Sequence, residues 1–177
     1  MPDNQRQQFS RGGPPPKGHA GLSEPHRSER DAHGRAQESR QQYNLPTSQE
    51  ISDILKRNGE VMVSKAQELA KALQGLKTAQ LRNFYGSLLL IEARYRGLLK
   101  ETIATELQLL CPKLHYMVNR PQGSVARPLE QCFDALLSEA AKQIRGAKDD
   151  DSARAIARAV FEFAEAVVAY HKEGGQR

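Results

Sequence analysis

From Pro46 onward apolar residues recur at helical spacing, whereas before it they hardly recur at all. Thr47-Ser-Gln-Glu50 reads as a capping box, with Thr47 accepting from the first turn and Glu50 reaching back. A short helix is expected through about Arg57, breaking at Asn58-Gly59. A second runs from Val61 to Leu73, with Val61, Lys65, Leu69 and Leu73 in register, and Gly75 ends it. Thr78 is placed to cap a third, running to about Gly97. Its stripe is Leu81, Phe84, Tyr85, Leu88, Ile91, Tyr95 and Leu99.

A fourth segment carries Ile103, Leu107, Leu110, Leu114 and Met117 or Val118 on one face, and Pro112 should kink it or start a new turn. Pro121 and Gly123 mark a loop over Asn119 to Ser124. Pro128 opens a fifth helix lined by Leu129, Phe133, Leu136, Leu137, Ala140 and Ile144, and Gly146 closes it. Asp149-Asp-Asp-Ser152 places three carboxylates at the positive end of a last helix with the seam Ile156, Val160, Phe163, Val167 and Tyr170 or His171. No segment alternates with period two between hairpin turns, and no internal repeat is visible. The expected fold is all-α, a compact bundle of about five to six helices.

Composition divides the chain. The apolar fraction is 38% over 177 residues, low for a wholly globular protein. The deficit lies in residues 1–45, rich in Gln, Arg, Ser, Gly and Pro, with Arg11-Gly-Gly-Pro-Pro-Pro-Lys17 unable to form a helix or packed strand. Such a segment buries too little surface to offset its chain entropy. A disordered tail over 1–45 and a helical domain over 46–177 are expected. No apolar run approaches the roughly 20 residues needed to span a bilayer, and the N-terminus has no apolar leader core, so a cytoplasmic protein is expected. Cys111 and Cys132 have no metal-like spacing and read as buried free thiols.

The motifs of most catalytic classes are missing: no phosphate-binding Gly-rich loop and no Gly-x-Ser-x-Gly elbow. His19, His26 and His33 recur every seven residues in the tail without a further ligand. Asp149, Asp150 and Asp151 offer carboxylates for a divalent cation and a metal-dependent nuclease, or, more simply, a helix cap. His171 has no partner at triad spacing. Neither an enzyme nor a cofactor is expected.

Basic residues are better organised. Lys and Arg total 26 against 21 Asp and Glu, a net charge of +5, which permits nucleic-acid binding without establishing it. At 100° per residue Arg82 and Lys100 share an angle on the third helix if it extends that far, and Arg96 lies about 40° away, giving a row about 27 Å long. Lys77 precedes it. On the fourth segment Lys113 and Arg120 are seven apart with Tyr116 between them. Such rows suit a phosphate backbone, neutralising charge without reading bases.

Three stretches add a resemblance. Gly75-Leu-Lys-Thr-Ala-Gln-Leu-Arg-Asn-Phe-Tyr85, Leu109-Leu-Cys-Pro-Lys-Leu-His-Tyr-Met-Val-Asn-Arg120 and Phe161-Glu-Phe-Ala-Glu-Ala-Val-Val-Ala-Tyr-His-Lys172 resemble, in order and spacing, the small subunit of the type III-A CRISPR effector, the Csm complex. The resemblance implies a non-catalytic α-helical subunit that stacks in several copies along a ribonucleoprotein filament, against the duplex of guide RNA and target RNA. It also implies contact with the large polymerase-like subunit and the backbone subunits. By that resemblance Lys77, Arg82, Lys113 and Arg120 face RNA; Arg96 and Lys100 rest on the helical wheel alone. The chain departs from the family pattern at Lys77-Thr78 and at Val118-Asn119, the latter beside Arg120. The competing expectation is a helical scaffold that contacts only protein.

Overall fold

The computed structural model describes residues 43–120 and 123–174. The tail expected to be disordered, with His19, His26 and His33, lies outside them except for Tyr43 to Leu45. Those last residues are not featureless, since Tyr43 packs against the core.

The described residues form seven α-helices: α1 Ser48–Leu55, α2 Gly59–Ala72, α3 Thr78–Glu92, α4 Lys100–Gln108, α5 Cys111–Val118, α6 Arg127–Gly146 and α7 Asp150–Gly174. Short 3-10 turns at Tyr95–Gly97 and Gly123–Ala126 join α3 to α4 and α5 to α6. Among the described residues there is no strand, and the fold is all-α. The segment interrupted by Pro112 is two helices, with Pro112 in the first turn of α5, where its missing N–H leaves no bond unmade.

Local chemistry explains most boundaries. At α1 the capping box forms as expected: the Glu50 amide donates to Thr47 Oγ1 at 3.2 Å, and the Thr47 amide donates to Glu50 Oε2 at 2.7 Å. The break after α1 is made by Arg57, not by the glycine. Arg57 has φ 62°, and its amide and that of Asn58 donate to the carbonyls of Ile54 and Asp53, both at 2.9 Å. That is the Schellman pattern with an arginine where glycine is usual. Its guanidinium grips Glu162 on α7 through two bonds, at 2.8 and 2.7 Å, an attachment glycine lacks. Asn58 then caps α2. Thr78, expected to cap α3, is already its first helical residue, so the cap position falls to Lys77, which makes no side-chain cap bond.

The core is arranged around α7, which packs against α1, α2, α3, α4 and α6. Twenty-five residues give it a length of about 37 Å. Contact on several sides requires more than the single expected seam: Val160, Phe163 and Val167 are buried, and so are Ala153, Ala157, Phe161 and Ala164. The alanines let neighbouring backbones approach. Phe133 on α6 joins the two sides of the bundle, its ring 4.9 Å from Phe84 on α3 and 5.7 Å from Phe163 on α7. His171 closes the seam, its buried Nε2–H donating to the Leu73 carbonyl at 3.0 Å and so holding the end of α7 to the end of α2. Cys132 is buried as expected and Cys111 partly so; burial pushes their thiols up to about 11 and about 12.

The third helix departs from its expected length. The stripe continues in phase through Tyr95, which is buried against Phe161 at 5.3 Å. The helix nevertheless stops at Glu92, and Leu99 is 66% exposed rather than on the stripe. The cause is tertiary: α4 packs against α6 and touches α3 only lightly, so the chain must turn at Tyr95–Gly97. Lys100 fixes the new direction, its Nζ donating to the Ala147 carbonyl beyond α6 at 2.7 Å.

Candidate nucleic-acid interface

The turn after α3 removes the expected 27 Å row. Arg82 is on α3, Arg96 on the 3-10 turn and Lys100 on α4, so the three angles no longer belong to one cylinder. Arg82 and Arg96 are exposed; Lys100 is half-buried and engaged with Ala147, leaving its charge structural.

Lys113 and Arg120 meet the other outcome. Both are on α5 or at its end, both are exposed, and both line one groove between α3 and α5. Two cavities of about 240 and 200 Å³ lie along α3 here, with Ser87 and Lys113 lining both. The first has an apolar floor of Phe84, Leu114 and Met117 beneath Gln80, Asn83 and Ser87 on one wall and Lys113, Tyr116 and Arg120 on the other. No acidic residue lines it. The second is walled by Leu90 and Leu109, 69% and 60% exposed. Its Arg94 is already neutralised by Glu106 at 2.8 Å.

Three local features aim the cations. Arg120 Cζ lies 4.4 Å over the Tyr116 ring, a stacking that holds the guanidinium while leaving its edge donors free. Behind it the Gly123 amide donates to the Arg120 carbonyl at 2.8 Å. A Cβ at Gly123 would strike the carbonyl oxygens of Met117 and Val118, so only glycine lets the chain turn this tightly there. Finally, His115 Nδ1 contacts Glu130 on α6 at 2.9 Å, pinning α5 to its neighbour.

Among the described residues Lys77, Arg82, Lys113 and Arg120 take part in no ion pair, whereas Arg57, Lys65, Arg94 and Arg154 each do. The structure does not bring all four together. Lys77 sits at the start of α3, and Arg82 is about 140° around α3 from Ser87, on its far flank. The sequence reading did not single out Gln80, Asn83 and Ser87. Their signal was present as a polar file at i, i+3 and i+7 beside the apolar stripe.

The acidic cluster is a cap. Asp149 Oδ1 accepts from the Ser152 amide at 2.7 Å, a bond that holds its carboxyl below the usual range, while Asp150 and Asp151 pair with Arg154. No group of His, Cys, Asp and Glu among the described residues is placed to hold a metal ion, and no helix of the described residues is long and apolar enough to cross a membrane.

Compared with known proteins, residues 56–177 match a family profile described as Csm2 Type III-A. No curated protein and no solved structure matches.

Proposed function

The chain belongs to the Csm2 Type III-A family, and on that premise we propose that it is a non-catalytic subunit of a CRISPR RNA-guided ribonucleoprotein in antiviral defence. In this reading it holds the backbone of guide and target RNA without reading sequence. Its partners are the other Csm subunits and further copies of itself along the filament, and its place is the cytoplasm.

The observation that carries the reading is that Lys113 and Arg120 line one cavity with no acidic residue in its lining, neither cation in an ion pair among the described residues. Cations held ready in this way release counterions from a phosphate chain. Lys77 and Arg82 extend the positive surface to the other flank of α3; Arg96 adds an exposed cation at the turn, and Lys100 stays with Ala147.

The test is binding of the full chain to labelled RNA by fluorescence anisotropy over a salt series. Affinity should fall steeply with salt, and K113A/R120A should reduce the slope of log K against log salt by about 2, about 1 per lost phosphate contact, for every sequence alike. A flat salt response, or a double variant that binds as wild type, overturns the reading.

The scaffold reading retains one observation of its own, the exposed Leu90 and Leu109 at the far end of the groove. It requires that no RNA of any kind be bound, including in the reconstituted complex, and that Leu90→Ser/Leu109→Ser abolish assembly.

A further inference from the structure

Backbone neutralisation uses only the cations of the α3–α5 groove and leaves its other features without a role. A phosphate-only site needs no apolar floor, yet Phe84, Leu114 and Met117 form one. Nor does it need Gln80 and Asn83, which line the same cavity and whose carboxamides make no side-chain hydrogen bond to the protein among the described residues. Each carboxamide carries two donors and an acceptor with two lone pairs. The cavity measures about 240 Å³, below the roughly 300–1,000 Å³ typical of drug-sized ligands, so its occupant is small. That occupant has a flat apolar face for the floor, a hydrogen-bonding edge for the carboxamides and an attached anion for Lys113 and Arg120.

We propose that the groove admits a single unpaired nucleotide with its base inward, the base lying on Phe84 and Met117 and its edge meeting Gln80 and Asn83. Its flanking phosphate lies between Lys113 and Arg120. This deepens the proposed function and rests on it: the same cations hold the backbone, and the groove distinguishes single-stranded from duplex RNA. Because either carboxamide turns donor or acceptor outward by rotation about its last side-chain torsion, the site accepts any base and stays sequence-independent. An acidic peptide satisfies the cations, and its backbone amides can meet the carboxamides, but it offers the apolar floor no flat apolar face, which favours the nucleotide.

The experiment compares three probes on the full chain by anisotropy at one salt concentration. They are a single-stranded RNA 12-mer, the same length as a duplex, and a 12-mer with abasic sugars at its central positions. Wild type should bind the single strand about tenfold more tightly than the abasic strand, from lost stacking and edge hydrogen bonds. Gln80→Ala/Asn83→Ala should lose that tenfold for the single strand and change duplex affinity less than twofold. Ser87→Phe, which plugs the groove from a half-buried helical position without removing charge, should act in the same way. An unchanged melting temperature shows that either variant is folded.

If wild type binds the abasic and normal strands equally, or the variants weaken duplex and single strand alike, the inference fails while the backbone reading stands. If no probe binds, both fail together. If a glutamate-rich 12-mer peptide competes as well as the RNA and Gln80→Ala/Asn83→Ala does not alter that competition, the groove is a peptide site and the inference falls.

Discussion

The two sides of this bundle use the same residue types to different ends. On the side of α1, α2 and the start of α7, polar groups are turned inward to one another. Thr47, Asn58 and Asp149 cap their helices, Lys65 bridges Glu50 and Glu68 at 2.8 and 3.0 Å, and Arg57 grips Glu162. On the side of α3, α4 and α5, no helix start has a side-chain cap. Lys113 and Arg120 there have no ion-pair partner among the described residues, and Leu90, Leu99 and Leu109 face outward. Caps and pairs stabilise an isolated chain, each by about 1 kcal/mol or less. On the α3–α5 side ion pairs still form at Arg94–Glu106 and His115–Glu130, but the missing caps, the cations Lys113 and Arg120 and the outward leucines leave charge and apolar surface there to be satisfied by something else. The contrast agrees with the proposed reading, which puts the RNA-facing side at α3 and α5, and does not depend on any motif.

Phe133→Ala is the largest expected break, because that ring touches both sides. Removing it should cost about 3–5 kcal/mol, with a single cooperative transition in urea. Two separated transitions would show that the sides fold independently.

Gly123→Ala should act on the open side. Its new Cβ meets backbone behind α5, and overpacking of this kind costs about 1–3 kcal/mol. RNA affinity should fall as well, at temperatures where the variant is still folded, because the end of α5 carrying Arg120 is displaced. Unchanged binding at full folding would mean that Arg120 does not depend on this turn.

Thr47→Ala tests the closed side. Loss of the cap should cost about 1 kcal/mol in denaturant melts and leave RNA affinity unaltered, since the box is remote from the groove. An equal loss of binding would dissolve the distinction between the two sides.

The smallest effect is one of pH. The Lys65 ammonium, followed by the Thr47 amide, holds the Glu50 carboxyl below its ordinary 4.5, and the Ser152 amide does the same for Asp149 against 3.8. A carboxyl depressed in the folded state contributes stability that is complete above its unfolded value and is lost as pH falls through its folded value. Stability should thus decline below about pH 4.5, and E50Q should make the decline shallower in acid titrations followed by circular dichroism. An unchanged titration would mean that the Lys65 bridge contributes nothing.

Several elements were legible before folding for reasons that are local. The Thr47 box, the Asp149 cap, Pro112 in a first turn and the stripe of α6 each depend on residues within one or two helical turns of one another. The site was legible only in part. Lys113 and Arg120 share a groove because Lys113 lies in the first turn of α5 and Arg120 just past its end, where it stacks on Tyr116 of the same helix. Arg82, Arg96 and Lys100 do not form a row, because the wheel assumes a straight helix and α3 ends at Glu92. Gln80 and Asn83 passed unnoticed because polar residues beside an apolar stripe ordinarily face solvent; only the position of α5 turns that flank into a wall.

Periodicity and caps alone determined that this chain is all-α from Thr47 onward, and three local stretches connected it to its family. Tertiary structure decided where α3 stops, that Arg57 rather than Gly59 takes the left-handed turn, and which cations are free. Those outcomes depend on groups distant in sequence: Lys100 meets Ala147, Arg57 meets Glu162, and α4 packs against α6. Helical spacing acts over a few residues, whereas the direction of a helix and the pairing of a charge are set by whatever the rest of the chain places beside them.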